Sequence, residues 1–175
     1  IPLYEKSRRL DPSMANTHYN LGLALMNSGR ESEAVEAFEG AIRILPYYFK
    51  AHLYLGVILM KLGRESEARA HFAEAARYDG MPAEVYFHFG VALADLGRWD
   101  EAIEQYAKAV QLDPDDAGAQ GNWGVALYRK NAAAEAVPHF EAALRLKPAS
   151  SAVGDVHYNL ALALKYSGDS RHAAD

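Results

Sequence analysis

Shifting the sequence against itself by 34 residues brings its punctuation into line, and this period constrains the fold more than any other feature. Pro12, Pro46, Pro114 and Pro148 fall at multiples of that interval, with Gly80 in the missing place. Gly22, Gly56, Gly90 and Gly124 keep the same spacing, as do Gly29, Gly63, Gly97 and Asn131. Large positions follow at Leu25, Leu59, Leu93, Leu127 and at Phe38, Phe72, Tyr106, Phe140. Small ones recur at Ala34, Ala68, Ala102, Ala136 and at Ala41, Ala75, Ala109, Ala143. The register holds without an insertion from residue 15 to 150. Three extra residues around Ser151 to Val153 then displace a fifth copy, so the octet HYNLGLAL at 18–25 returns as HYNLALAL at 157–164. A period of this length marks an array of small units, none able to bury its apolar face alone.

Each unit reads as two helices. Leu21, Leu25 and the small Gly22 and Ala24 recur at helical spacing in the first, helix A. Gly29 is expected to end it in the left-handed conformation, with Asn131 the next best residue for that position. Helix B starts near residues 31–34 with acidic residues in its first turn, which favour the helix dipole, and runs to about Leu45. Pro2 and Pro138 lie early in helix B, where a lost hydrogen bond is tolerable. Gly22 and its equivalents are expected to let helix A approach the Ala34 and Ala41 registers of helix B, with Phe38 and its equivalents filling the gap toward neighbouring helices. The expected organisation is one continuous array. Residues 1–14 form the helix B of a truncated unit, 15–48, 49–82, 83–116 and 117–150 form four repeats, and 154–175 form a truncated fifth. Its helix B would begin at about residue 169. The fold class is all-α: a right-handed superhelical solenoid of stacked antiparallel helix pairs, with a concave inner surface.

Composition narrows the function. Half of the 175 residues are hydrophobic and 23% are charged, which excludes a disordered tail. A formal charge of −5 argues against nucleic acid as a partner, since phosphate binding needs a basic face. With no cysteine there is no disulfide framework, thiolate nucleophile or Cys-based metal site. The apolar run near Leu53 to Met60 falls far short of the ~20 residues that span a bilayer, so no membrane insertion is expected in this segment. The chain opens with Ile1-Pro2 rather than Met, and is expected to be a soluble piece of something longer. Its compartment stays open, with the cytoplasm slightly favoured.

Catalysis finds no support in the spacing. Three of the seven histidines, His18, His52 and His157, share one register. Stacked repeats would set them on the order of 10 Å apart, too far for a shared metal whose bonds are ~2 Å, so they are expected to be packing residues. Asp113, Asp115 and Asp116 flank Pro114 in a turn and suit capping. Trp99 and Trp123 fit helix-start and core registers. No Ser-His-Asp set, phosphate loop or zinc motif is present. The expectation is a non-enzyme with no catalytic residue, metal site or cofactor.

The pattern carried by Leu21-Gly22, Leu25, Gly29, Ala34, Phe38, Ala41 and Pro46, with their echoes, resembles the tetratricopeptide repeat family. The family's early aromatic is mostly replaced here, by His18, His52 and His157, with Tyr86 and Gln120 in the other copies. The resemblance implies a protein–protein interaction scaffold that binds an extended peptide or a partner helix in the concave groove lined by its A helices. The groove registers then nominate Tyr19, Asn20 and Leu23 in the first repeat, Lys50, Leu53, Tyr54 and Val57 in the second, and Phe87, His88 and Val91 in the third. They nominate Asn122, Val125 and Arg129 in the fourth repeat and Tyr158 and Asn159 in the fifth. Met60 falls in the same lining. Asn20, Asn122 and Asn159 occupy one register, and an amide side chain both donates to and accepts from a peptide backbone. The arrangement resembles an incomplete version of the asparagine ladder of O-linked N-acetylglucosamine transferases. The two-carboxylate clamp by which some family members hold chaperone C-termini is absent, since its Lys and Arg registers carry other residues. Two alternatives stand beside the scaffold: a substrate-presenting accessory domain of a larger enzyme such as a glycosyltransferase, and a self-assembly module. The latter would associate end to end through Leu3, Tyr4 and Leu10 on one side and Leu160 and Leu164 on the other, which lack covering helices.

Overall fold

The computed structural model describes residues 12–78, 82–146 and 150–172. Among these are nine helices and no strand: α1 Pro12–Asn27, α2 Glu31–Ile44, α3 Phe49–Lys61, α4 Glu65–Tyr78, α5 Pro82–Asp95, α6 Trp99–Leu112, α7 Ala117–Arg129, α8 Ala133–Arg145 and α9 Ser150–His172. None is long and apolar enough to cross a membrane. The chain forms two compact units, residues 1–88 and 89–175. In the first, α1 packs on α2, α2 on α3 and α3 on α4; in the second, α6 packs on α7, α7 on α8 and α8 on α9. The expected helix ahead of the first repeat, with Leu3, Tyr4 and Leu10, lies outside the described residues, as do Gly80 and Pro148.

Four turns explain how each pair folds back on itself. Gly29, Gly63 and Gly97 adopt φ near +73°, and Asn131 takes 61° in the same place. Around each, two backbone bonds close the helix end: Arg30 N–H donates to Leu25 O and Gly29 N–H to Met26 O. The same pair of bonds recurs at Arg64 and Gly63, Arg98 and Gly97, and Ala132 and Asn131. This is the Schellman arrangement, which satisfies carbonyls that a helix end otherwise leaves bare. The residue that completes it also begins the next helix, since the carbonyls of Arg30, Arg64, Arg98 and Ala132 accept from Ala34, Ala68, Ala102 and Ala136. One left-handed residue therefore ends helix A and aims helix B. At the other connection, Asp116 caps α7 by accepting from the backbone of Ala119, and Asp113 accepts from Asp115.

The repeating core follows the registers closely. Phe38, Phe72, Tyr106 and Phe140 are buried, with Leu25, Leu59, Leu93 and Leu127 and both alanine registers around them. The role of the helix-A glycines differs from expectation. Each lies under the aromatic of its own unit, so a Cβ at Gly22 would stand 2.6 Å from Phe38, at Gly90 2.6 Å from Tyr106 and at Gly124 2.8 Å from Phe140. The glycine makes room for a ring, not only for an approaching helix backbone. In the fifth copy Ala161 is exposed, which is why the second octet tolerates the methyl group.

The fifth copy departs further. α9 runs unbroken from Ser150 through Gly168 to His172, so the three extra residues sit inside a helix and no turn separates residue 169 from what precedes it. Pro12 opens α1, so the break drawn between residues 14 and 15 falls within a helix. Leu160 packs against the core of Phe140, Ala143 and Val156, contrary to its expected bare state, whereas Leu164 is 53% exposed in a register buried in every other copy. The histidine register also splits. His52 is buried, and His18 packs over Gly40, but His157 lies exposed with no packing role.

Candidate functional site

The A-helix face of the first unit is a wall of rings. Tyr19 on α1 lies 5.3 Å from Tyr48, which precedes α3, 5.9 Å from Tyr54 on α3 and 6.1 Å from Phe38 beneath. Tyr54 stacks on Phe38 at 18° between planes, and His88 on α5 lies 5.9 Å from it. Phe87 meets His88 edge-on at 5.2 Å. These rings pack against one another in tilted and edge-on geometries, as aromatic quadrupoles prefer. The Tyr48 hydroxyl donates to Asn16 Oδ1, which ties the start of α3 to α1. One carboxylate borders the wall: Glu84 Oε1 stands 4.0 Å from His88 Nε2. Burial, with Tyr54, Tyr48 and the Glu84 charge, pushes the Tyr19 hydroxyl up to about 12, so it stays protonated.

Tyr19, Tyr54, Phe87 and His88 thus come together as the register proposed, with Leu23 and Val57 half-buried nearby in sequence and Asn20 and Lys50 exposed. Leu53 does not join them. It has no exposed surface, and Met60 is 1% exposed, so neither reaches a ligand. Burying a leucine is worth about 1.5–3 kcal/mol, which draws it inward even at a register that other copies fill with Tyr19 or Gly121. Tyr48 was not among the nominated residues. The run Tyr47-Tyr48-Phe49 at the start of helix A was the signal for it, being the only such aromatic triplet in the chain.

In the second unit the same face carries a cleft. A cavity of about 190 Å³ is lined by Gly121, Asn122 and Val125 of α7, Phe140 of α8 and Asp155, Val156 and Asn159 of α9, with Ala117 and Gly118 at its edge. Asn122 and Asn159, equivalent residues of successive A helices, face one space. Its floor is apolar, because Phe140 is the fully buried ring under Gly124. Val91 is half-buried on α5, while Arg129 and Tyr158 are exposed and do not line the cleft. Asp155, not among the nominated residues, does line it.

Two histidine contacts outside these faces each join the two helices of a pair. His52 Nε2 donates to the Pro46 carbonyl, which leaves its Nδ1 to accept from His71 Nδ1–H at 2.9 Å. Burial and then the neighbouring His52 hold His71 below the usual imidazole range. In the second unit His139 Nδ1–H donates to the Gln120 amide oxygen and stacks on Trp123 at 4.0 Å, and burial lowers its pKa as well. No three His, Asp or Glu residues gather to hold a metal among the described residues.

Three family models match the chain: a tetratricopeptide repeat model over residues 1–49, another, overlapping it, over 28–86, and a TPR repeat model over 90–131. No curated protein sequence matches it significantly. Among solved structures, PilF of Pseudomonas aeruginosa is similar with a TM-score of 0.74 at 24% identity, over 90% of this chain and 70% of that one. The MamA protein aligns at TM-score 0.68 and 20% identity over 92% of this chain and 86% of its own. YrrB, described as a TPR protein with an unusual peptide-binding site, aligns at 0.60 and 20% over 86% and 76%. At these identities the likenesses speak for the fold alone. The 34-residue register, the four left-handed turns and the three matching models together make this chain a member of the tetratricopeptide repeat family.

Proposed function

We propose that the chain is a protein-interaction scaffold that holds an extended peptide along its A helices. The observation that carries this reading is the cleft between α7 and α9, where Asn122 and Asn159 face one space over an apolar floor. A primary amide offers both donors and an acceptor, so two of them at repeat spacing can pair with successive groups of an extended backbone whatever its side chains. Val125, with Val156 beside it, would then accept an apolar side chain between those anchors. YrrB, with its named peptide-binding site, supports the class of ligand by analogy. The reading is of a binding module and not of an enzyme.

A peptide-library selection on the chain, run beside an Asn122→Ala, Asn159→Ala double variant, tests it. Two hydrogen bonds at about 0.5–1.5 kcal/mol each predict that the double variant binds enriched peptides roughly tenfold or more weakly. Circular dichroism would show both proteins equally helical, since each asparagine is only half-buried. Unchanged affinity in the double variant would sink the backbone-reading cleft.

A further inference from the structure

We propose that the aromatic wall of the first unit, formed by Tyr19, Tyr54 and His88 with Glu84 at its border, is a receptor for an arginine side chain of the bound peptide. The inference rests on the peptide-binding reading but concerns the A-helix face of the first unit, with different chemistry.

The rings are held in place. Tyr54 stacks on Phe38, which is fully buried, and Tyr19 is wedged among Phe38, Tyr48 and Tyr54. Fixed rings offer a π surface that loses little entropy when a cation settles on it. Glu84 supplies the charge. Its side chain retains 34% of its exposure, and its one ion-pair contact among the described residues is with His88, at the outer limit of 4.0 Å and only when that ring is protonated. A half-desolvated carboxylate beside aromatic rings gains more from a cation than an open one does. Lys50, a basic residue of the same unit, sits with its ammonium over its own neighbour Phe49, 5.8 Å from the ring centroid, and makes no ion pair with Glu84.

The geometry favours arginine over lysine. A guanidinium is planar, stacks on aromatic faces, sheds water more readily than an ammonium and pairs with both oxygens of one carboxylate.

The test uses nuclear magnetic resonance at pH 7.5 on the labelled chain, titrated with short capped glycine–serine peptides bearing one central residue. The probes carry arginine, lysine or citrulline, the last having arginine's shape without its charge. The arginine peptide should shift the resonances of Tyr19, Tyr54, Glu84 and His88, and bind about threefold to tenfold more tightly than the citrulline peptide. Lysine should fall between them. Glu84→Gln, nearly isosteric, should reduce the arginine peptide to the citrulline level. Tyr54→Leu should weaken both cationic peptides, and unchanged helicity would show that the fold survives. Equal binding of arginine and citrulline peptides, or no shift at the wall, would overturn the proposal. Shifts confined to Asn122 and Asn159 for all three peptides would overturn it while leaving the backbone-reading cleft standing.

Discussion

A methyl group placed on Gly22 would meet three atoms of the Phe38 ring, at 2.6, 2.7 and 2.9 Å. That ring has no exposed surface and is stacked by Tyr54, so it has little room to retreat. Alanine normally gains about 0.5–1 kcal/mol over glycine inside a helix, but overpacking a rigid core costs about 1–3 kcal/mol. The clash wins at Gly22, and Gly22→Ala is expected to destabilise by about 1 kcal/mol or more. Gly154, inside α9 with nothing within 4 Å of its added Cβ, sets the opposite sign. Gly154→Ala should stabilise by about 0.5–1 kcal/mol. Urea denaturation of the two single variants against the parent separates these outcomes. A stabilised Gly22→Ala would mean that the Phe38 ring yields, and that the glycine register is not set by the aromatic above it.

At the scale of helices, the period made the architecture legible because a repeated residue must solve the same packing problem each time. Gly29, Gly63, Gly97 and Asn131 could be read as left-handed turns before any coordinates, and all four have positive φ. Depth was less legible. A register says which side of a helix a residue occupies, not how far in it lies, and so Leu53 read as groove lining although it is wholly buried. Departures from the repeat were hidden for a related reason. His157 and Leu164 inherit the letters of packed positions, but α9 lacks the cover that makes those positions interior among the described residues. Pairings between non-repeated residues were not legible at all, and His52 with His71 is the clearest instance.

That pair joins α3 to α4 and carries a pH dependence. Pro46 O fixes the proton on His52 Nε2, so one proton lies between the two Nδ1 atoms and both rings cannot be charged without breaking the contact. The folded chain holds His71 and His139 below their ordinary pKa, so the unfolded chain binds more protons once pH falls under about 6.5. Stability from these groups is full above that value and is lost as pH falls toward the lowered folded values. Urea midpoints should therefore drop between pH 7.5 and 5.5, above the range where carboxylates titrate. His71→Gln should flatten part of that slope, and His139→Gln a further part. A slope unchanged in the double variant would place the acid sensitivity elsewhere.

For the molecule as a whole, the relevant quantity is a net charge of −5 spread over 175 residues, of which Glu84 is one contributor. Long-range attraction toward a cationic peptide reflects the summed charge, whereas the hold on a bound guanidinium reflects Glu84 and the rings around it. The two act on different rate constants and respond differently to salt. Surface charges are screened beyond about 10 Å at 0.1 M ionic strength, so association of the arginine peptide should slow as salt rises from about 50 to about 500 mM. Glu84→Gln removes one charge in a field set by many and should leave most of that salt dependence in place. It should instead shorten the lifetime of the complex, because the partly desolvated ion pair is lost. Resonance line-shape analysis at two salt concentrations gives both rate constants for parent and variant. If Glu84→Gln abolished the salt dependence and spared the dissociation rate, Glu84 would act as a steering charge at the rim and not as the seat of the guanidinium.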